Sequence, residues 1–259
     1  MLEHGLVHEL RLAILTSQLQ VAVQPKVDIS TLRVIGGEVL LRWHHPKFGF
    51  ISADRWITIA ESHGLMPQLN RWLVSQAISL IKKGATLSPL SINISPTSLD
   101  NQFVHFLIQE LKHYQVDPSL IELEITESTN VENLSMISHC LRVLRKNGVM
   151  ISLDDFGSGY SSMRYLVELE VDKLKIDKSF IHKAETNKNA YLVLKKMIDL
   201  GKEINLKILC EGIETIPQLD LVKILGADEG QGYYFGKPEL IKDQLKLALN
   251  SQNSLLMAV

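Results

Sequence analysis

Cysteine is scarce in this 259-residue sequence. The two present, Cys140 and Cys210, cannot build a disulfide framework, and neither stands in a Cys-x-x-Cys or Cys/His cluster of zinc-finger spacing. A reducing, cytoplasmic setting is therefore expected. Long apolar runs are missing too: none approaches the roughly 18 residues that a spanning helix needs, so no membrane contact is expected from this segment. Nor is there a block of one charge sign. The 27 Lys and Arg against 29 Asp and Glu leave a formal net charge of -2. Without a basic stripe the chain has no electrostatic footprint for duplex nucleic acid or anionic lipid, although a local patch for one phosphorylated ligand stays open. Pro- or Ser-rich linkers, low-complexity stretches and repeats are also absent, which favours a single domain across residues 1–259.

What is present is ordinary globular material, 46% hydrophobic and 22% charged, in a chain of the length that one α/β barrel commonly takes. Short β-branched runs alternate with helical periodicity, the pattern of parallel strands joined by crossover helices. Eight strands are predicted, near Gln20–Lys26, Val34–Trp43, Leu90–Ser95, Leu120–Thr126, Val149–Asp155, Val171–Asp177, Leu206–Glu211 and Gly230–Phe235. Between them apolar residues recur at three and four: Leu69, Trp72, Leu73 and Leu80; Leu99, Phe103, Leu107 and Leu111; Leu134, Ile137, Leu141 and Leu144; Leu194, Met197 and Ile198. That spacing lines one face of a helix. The N-terminal segment reads as an amphipathic helix with Leu6, Leu10, Ala13 and Ile14 on one face.

Polar residues collect where these strands end: Gln24, Glu38 with Arg42, Asn93, Glu124 with Glu127, Asp154 with Asp155, Lys175, Glu211 with Glu214, and Gln231. In a barrel, functional groups gather at the C-terminal ends of the strands. Several carboxylates at one rim repel and are costly to desolvate unless positive charge sits among them. Carboxylate oxygens and an Asn carbonyl, with no His or Cys, suit Mg²⁺ or Mn²⁺ better than zinc. Adjacent Asp154 and Asp155 could reach two neighbouring ions, an arrangement that clamps a phosphoester. Each piece also has a plainer reading. A single Glu can be a cap, Asp-Asp before Phe156-Gly157 can open a turn, and Gln24 and Arg42 can be structural. Lys175 needs anionic partners if it faces inward and only water if it faces outward. The plainer readings leave the joint occurrence at corresponding strand ends unexplained. His44 and His45 on an extended strand point to opposite faces, which argues against a shared metal. Cys210 has no activating base nearby and reads as a buried strand residue.

The motifs also occur in a recognisable order: Gln24-Pro25; Glu38-Val39-Leu40, then Arg42-Trp43 and Pro46; Asn93-Ile94-Ser95; and Glu124-Ile125-Thr126-Glu127-Ser128. They continue with the run from Asp154-Asp155-Phe156-Gly157 to Ser162, Leu174-Lys175-Ile176-Asp177, Glu211-Gly212-Ile213-Glu214-Thr215, and Gln231-Gly232-Tyr233 to Lys237-Pro238. Over about Leu10 to Leu240 this resembles the EAL-domain phosphodiesterases of bacterial cyclic di-GMP signalling. The resemblance implies a modified TIM (β/α)8 barrel with its first strand antiparallel to the others. It implies Mg²⁺- or Mn²⁺-dependent hydrolysis of cyclic di-GMP to linear 5'-pGpG at a two-ion site, with Ca²⁺ expected to inhibit. Carried over residue by residue, Glu38, Asn93, Glu124, Asp154 and Asp155 resemble metal ligands, and Glu211 the residue that completes the metal and water shell. Lys175 resembles the group that orients or deprotonates the attacking water, with Gln231 near it. Gln24, Leu40 and Arg42 resemble substrate contacts. Glu127 resembles the anchor of the loop from Phe156 to Ser162, and Glu214 and Asp177 resemble outer supports. That loop and the helix after Asp155 imply a homodimer. Three departures stand out: Val39 replaces the usual alanine, Ser158 a common threonine and Glu170 a common proline. The rival readings are a catalytically inactive cyclic di-GMP receptor signalling to a protein partner, which normally loses metal ligands, and an unrelated metal-dependent barrel enzyme.

Overall fold

The computed structural model describes residues 2–16, 18–84, 87–126, 134–157 and 162–241. Helix α1 (Leu2–Leu15) leads into two long strands, β1 (Leu19–Asp28) and β2 (Val34–His45), joined by residues 29–33. That short link decides the topology, because a parallel connection needs a crossover of a dozen residues or more. The chain instead turns straight back. Asp28 pins the turn, its Oδ1 accepting from the Thr31 amide at 2.7 Å and from the Ser30 and Thr31 hydroxyls at 2.7 and 2.8 Å. β1 and β2 are accordingly antiparallel.

After the short strand β3 (Gly49–Ile51), each remaining barrel strand is reached through a helix. α2 (Ala53–Ser62) and α3 (Met66–Lys82) lead to β4 (Leu90–Ile94), α4 (Asn101–Tyr114) to β5 (Ile121–Thr126), and α5 (Leu134–Lys146) to β6 (Met150–Phe156). α6 (Ser162–Glu168) leads to β7 (Lys173–Ile176), α7 (Lys178–Ala184) and α8 (Lys188–Glu203) to β8 (Lys207–Cys210), and α9 (Ile216–Leu225) to β9 (Glu229–Gln231). These crossovers keep β2 and β4 to β9 parallel in sequence order, and β1 closes the ring antiparallel to both β2 and β9. The result is a closed eight-stranded mixed α/β barrel, a modified TIM barrel with its first strand reversed. β3 and the short β10 (Glu239–Leu240) extend its edges.

The apolar core lies outside the barrel, between strands and helices. Ile92, Leu123, Ile125, Ile151, Leu153, Leu174 and Ile208 are buried there, as are Leu73, Phe103, Leu107, Leu141 and Leu194 from the predicted helices. Trp72 is only partly buried. Leu6, Leu10 and Ala13 of α1 are buried, with Ile14 partly so, where α1 packs on α2 and α3. Alternate strand residues face inward, and there the lining is polar: Ser91, Glu122, Glu124, Ser152, Lys173 and Lys175 are all buried. TIM barrels usually fill this space with branched aliphatics. Among the described residues, no helix is long and apolar enough to cross a membrane.

β9 is shorter than the predicted strand and stops at Gln231, where the chain bends: Phe235 and Gly236 amides donate to the Gly232 carbonyl. Gly232 passes so close to Ile213 that an added Cβ would collide with its backbone. Gly232→Ala is therefore expected to lose about 1–3 kcal/mol of stability, the ordinary cost of overpacking. A urea denaturation midpoint equal to that of the unaltered chain would refute the close approach.

Candidate active site

Glu122 and Glu124 share the inner face of β5, and Lys173 and Lys175 share that of β7, because side chains two apart on a strand point the same way. Lys175 Nζ lies 2.7 Å from Glu124 Oε2, 2.8 Å from Asp154 Oδ1 and 2.7 Å from Glu211 Oε1. One ammonium thus serves carboxylates from three strand ends, and the inward alternative for Lys175 is the one realised. Burial by itself would lower the Lys175 pKa, but Asp154, Glu124 and Glu211 together hold it well above the ordinary value. Glu124 also receives Lys26 Nζ at 2.7 Å on Oε1. Burial opposes its ionisation, but these two lysines win and hold it below the usual carboxylate range.

Asp154 and Glu211 have only a share of Lys175. Burial comes first, with repulsion from neighbouring carboxylates behind it, and both carboxyls are pushed up. Glu38 behaves likewise: burial, then Glu124 and Asp154 against the pull of Lys175, raises it to about 7. Its Oε1 accepts from Asn93 Nδ2 at 2.7 Å and its Oε2 from Gln231 Nε2 at 2.6 Å. Gln231 also donates to Gln24 Oε1 at 3.2 Å, and Gln24 donates to the Gly236 carbonyl at 3.1 Å.

Consecutive Asp154 and Asp155 reach one site because β6 breaks its register between Leu153 and Phe156, with Asp155 in the left-handed region at φ 52°. A bulge of this kind re-aims a side chain that a regular strand would turn away. Oxygens of Asp154, Asp155 and Glu211 all lie within 4.8 Å of one another, and the three can together hold a metal ion. Their hard oxygen donors match Mg²⁺-like cations.

Two cavities meet over Leu40, Asp154 and Asp155. One, of about 280 Å³, is lined by Arg42, Trp56, Met66 and Asn93; the other, of about 490 Å³, by Gln24, Glu38, Glu211, Gln231, Lys178 and Tyr233. Arg42 uses Nη1 on the Leu41 carbonyl at 3.0 Å.

The structure therefore brings together Gln24, Glu38, Leu40, Arg42, Asn93, Glu124, Asp154, Asp155, Lys175, Glu211 and Gln231. Gln24 and Glu38 arrive mid-strand, paired in register, and not at strand ends. Gln231 bonds to Glu38 and Gln24. Glu214 is exposed at the wall of the larger cavity, whereas Asp177 caps α7 by accepting from the Ser179 amide at 2.9 Å. Glu127 and residues 158–161 lie outside the described residues. His45 Nδ1 accepts from the Lys47 and Phe48 amides at 3.0 and 3.2 Å, a turn-forming role. Cys210 is buried, and burial pushes its thiol up, away from nucleophilic use. Sequence reading missed Lys178 and Tyr233 at the rim and Lys26, Glu122, Lys173 and Glu229 beneath. The pairs Glu122/Glu124 and Lys173/Lys175, charged at period two in apolar strands, were the available signal.

An acidic, lysine-centred mouth on a barrel with one reversed strand defines a class of barrel whose carboxylates could hold a metal ion. The sequence model of the EAL domain matches residues 7–238, and the chain belongs to the EAL-domain family. It is 36% identical over 227 residues to a cyclic di-GMP phosphodiesterase of Pseudomonas aeruginosa, covering 86% of this chain and 38% of that protein. It is 35% identical over 238 residues to the bifunctional diguanylate cyclase/cyclic di-GMP phosphodiesterase MucR of the same organism, covering 90% of this chain and 35% of MucR. The chain thus spans little more than a third of these relatives. The solved PaMucR phosphodiesterase in complex with cyclic di-GMP superposes with a TM-score of 0.85 at 33% identity, covering 93% of this chain and 99% of that one.

Proposed function

We propose that the chain is a single EAL-type domain that hydrolyses cyclic di-GMP to linear 5'-pGpG with Mg²⁺ or Mn²⁺. The observation that carries this is the complete donor set around Lys175: Glu38, Asn93, Glu124, Asp154, Asp155 and Glu211. Five formal carboxylates against two ammonium groups, Lys175 and Lys26, leave an excess of negative charge that divalent cations would offset. Bound by these residues, the cations would supply the positive charge that activates water and stabilises a phosphorane-like transition state. Arg42 has its remaining guanidinium donors for a phosphate, and a forked donor set fits phosphate oxygens. Gln24 and Leu40 wall the same space and orient the nucleotide. Lys175 keeps its proton on Nζ because carboxylates ring it, and it turns a donor to the attacking water once a cation draws Asp154 or Glu211 away from it. Glu211, raised and facing the cavity, accepts that water's proton. The motif order supports the rest of the reading: a cytoplasmic signalling role and a homodimer through the loop and helix after Asp155.

Turnover of cyclic di-GMP by the purified chain with Mg²⁺, with Mn²⁺ and with chelator tests the proposal. Metal-dependent pGpG supports it; tight cyclic di-GMP binding without hydrolysis replaces it with the receptor reading.

The raised carboxyls add a pH signature. Folded Glu38 holds a proton up to about 7, whereas a free glutamate carboxyl releases it near 4.5, so the metal-free fold loses stability as pH rises from about 4.5 to 7. Cations bind the ionised form and must displace that proton. Mn²⁺ affinity is expected to rise from pH 6 to pH 8, and calorimetry in buffers of different ionisation enthalpy should detect proton release near neutrality. A pH-independent affinity with no released proton would refute the assignment of Glu38.

A further inference from the structure

Beneath the carboxylates of the mouth lies a second set of charges that the proposed reaction does not use. Lys173 Nζ bridges Glu229 Oε2 at 2.6 Å and Glu122 Oε2 at 2.9 Å. Glu122 Oε1 is 3.3 Å from Lys26 Nζ, and Lys26 in turn is 2.7 Å from Glu124 Oε1. The ladder runs from the lower cavity, lined by Lys26, Glu122, Lys173 and Glu229, up to the active-site carboxylates. Lys26 is 2% exposed and Glu124 0%, so both are held within the protein interior.

Both oxygens of Glu124 are taken, Oε1 by Lys26 and Oε2 by Lys175. The two lysines are not equivalent anchors. Lys175 is shared with Asp154 and Glu211, so its place follows theirs. Among the described residues Lys26 is hydrogen-bonded to Glu124 and its strand neighbour Glu122, and it is carried by β1, registered against Gly36 on one side and Gln231 on the other. Glu122 is itself held by Lys173, which leaves Lys26 closer to Glu124 than to Glu122.

The geometry points to Lys26 as a positioning residue that grips Glu124 by Oε1 from below and presents Oε2 to the mouth, setting the chain's affinity for a divalent cation. This rests on the metal-dependent reading above. Long carboxylate side chains have several rotamers, and an outer partner that fixes a ligand's direction is commonly worth tenfold to a hundredfold in metal affinity.

The test is calorimetric titration of Mn²⁺ into the full chain without substrate, with circular dichroism to confirm folding. Lys26→Met removes the grip. Lys26→Met/Glu122→Gln removes one charge of each sign, so it keeps the interior balanced if the single variant does not fold. Both are expected to bind Mn²⁺ about tenfold to a hundredfold more weakly, and Lys26→Arg to recover part of the loss. Lys173→Met/Glu229→Gln deletes a balanced pair that reaches Glu124 only through Glu122 and Lys26; it is expected to melt earlier and to lose less Mn²⁺ affinity than the Lys26 variants. Unchanged or tighter Mn²⁺ binding in the folded Lys26 variants overturns the inference, as does an equal loss in the remote pair. An unaltered chain that binds no Mn²⁺ overturns the metal-dependent reading and this inference with it.

Discussion

Asp154→Asn is expected to lower turnover of cyclic di-GMP by at least about a hundredfold, beyond what loss of an outer-shell partner costs, while leaving the metal-free fold as stable as before or more so. The two effects have one cause. Asp154 lies 2.8 Å from Lys175 and beside Asp155 and Glu211, and burial with that repulsion raises its pKa. An ionised Asp154 is therefore held at a cost unless a cation joins it. The amide keeps the shape and relieves the repulsion, but it removes an anionic donor and sets an N–H or a neutral oxygen toward Lys175. Thermal melts in chelator should give an equal or higher midpoint for the variant. Melts with Mn²⁺ should show the large upward shift of the unaltered chain much reduced, since ligand stabilises only as far as it binds. Near-normal pGpG production with metal present would remove Asp154 from the site's chemistry.

The contrast between Asp154 and Asp155 shows where the sequence was legible and where it was not. That carboxylates and Lys175 converge could be read from their recurrence in successive strands, because a barrel delivers equivalent strand positions to one mouth. That two consecutive aspartates face the same cluster could not, since regular alternation sends neighbours to opposite faces. It takes the break after Leu153 and the left-handed Asp155, a conformation that no periodicity signals. Gln24 and Arg42 stayed ambiguous for another reason: a single polar residue in a strand carries no record of its partner. The structure gives Gln24 a place between Gly236 and Gln231, and sets Arg42 in a cavity wall. The barrel strands β1, β2 and β4 to β8 were visible because each carries apolar or β-branched residues between helical stretches, whereas β9, a Glu-Gly-Gln triplet, and β3 and β10, with three and two residues, are too short for any period to register. The ladder from Glu229 to Lys26 escaped because attention to strand ends passes over residues one layer down.

Lys175→Met is expected to act in the opposite sense on stability and in the same sense on activity. Removing the ammonium leaves Glu124, Asp154 and Glu211 buried around an uncharged thioether, with Lys26 as the remaining cation on Glu124. Breaking a buried ion pair from one side costs about 3–5 kcal/mol, because the stranded charge cannot recover its hydration. The metal-free variant should therefore melt well below the unaltered chain at pH 8. Part of that loss should return at pH 6, as carboxyls that have lost their counter-charge take up protons, the pKa of each rising further in the folded state. Divalent cations should stabilise the variant more than the unaltered chain, since they replace the missing charge where repulsion is worst. Turnover should still fall by about a hundredfold to ten-thousandfold, the usual worth of a positioned proton-bearing group. KM should move little, because Gln24, Leu40 and Arg42 keep their places in the cavity walls. The deciding comparison is kcat against KM at saturating Mn²⁺, beside melts in chelator and in Mn²⁺. A raised KM with unchanged kcat would make Lys175 a binding group. A metal-free midpoint equal to that of the unaltered chain would mean that its three ion pairs contribute nothing net to the fold.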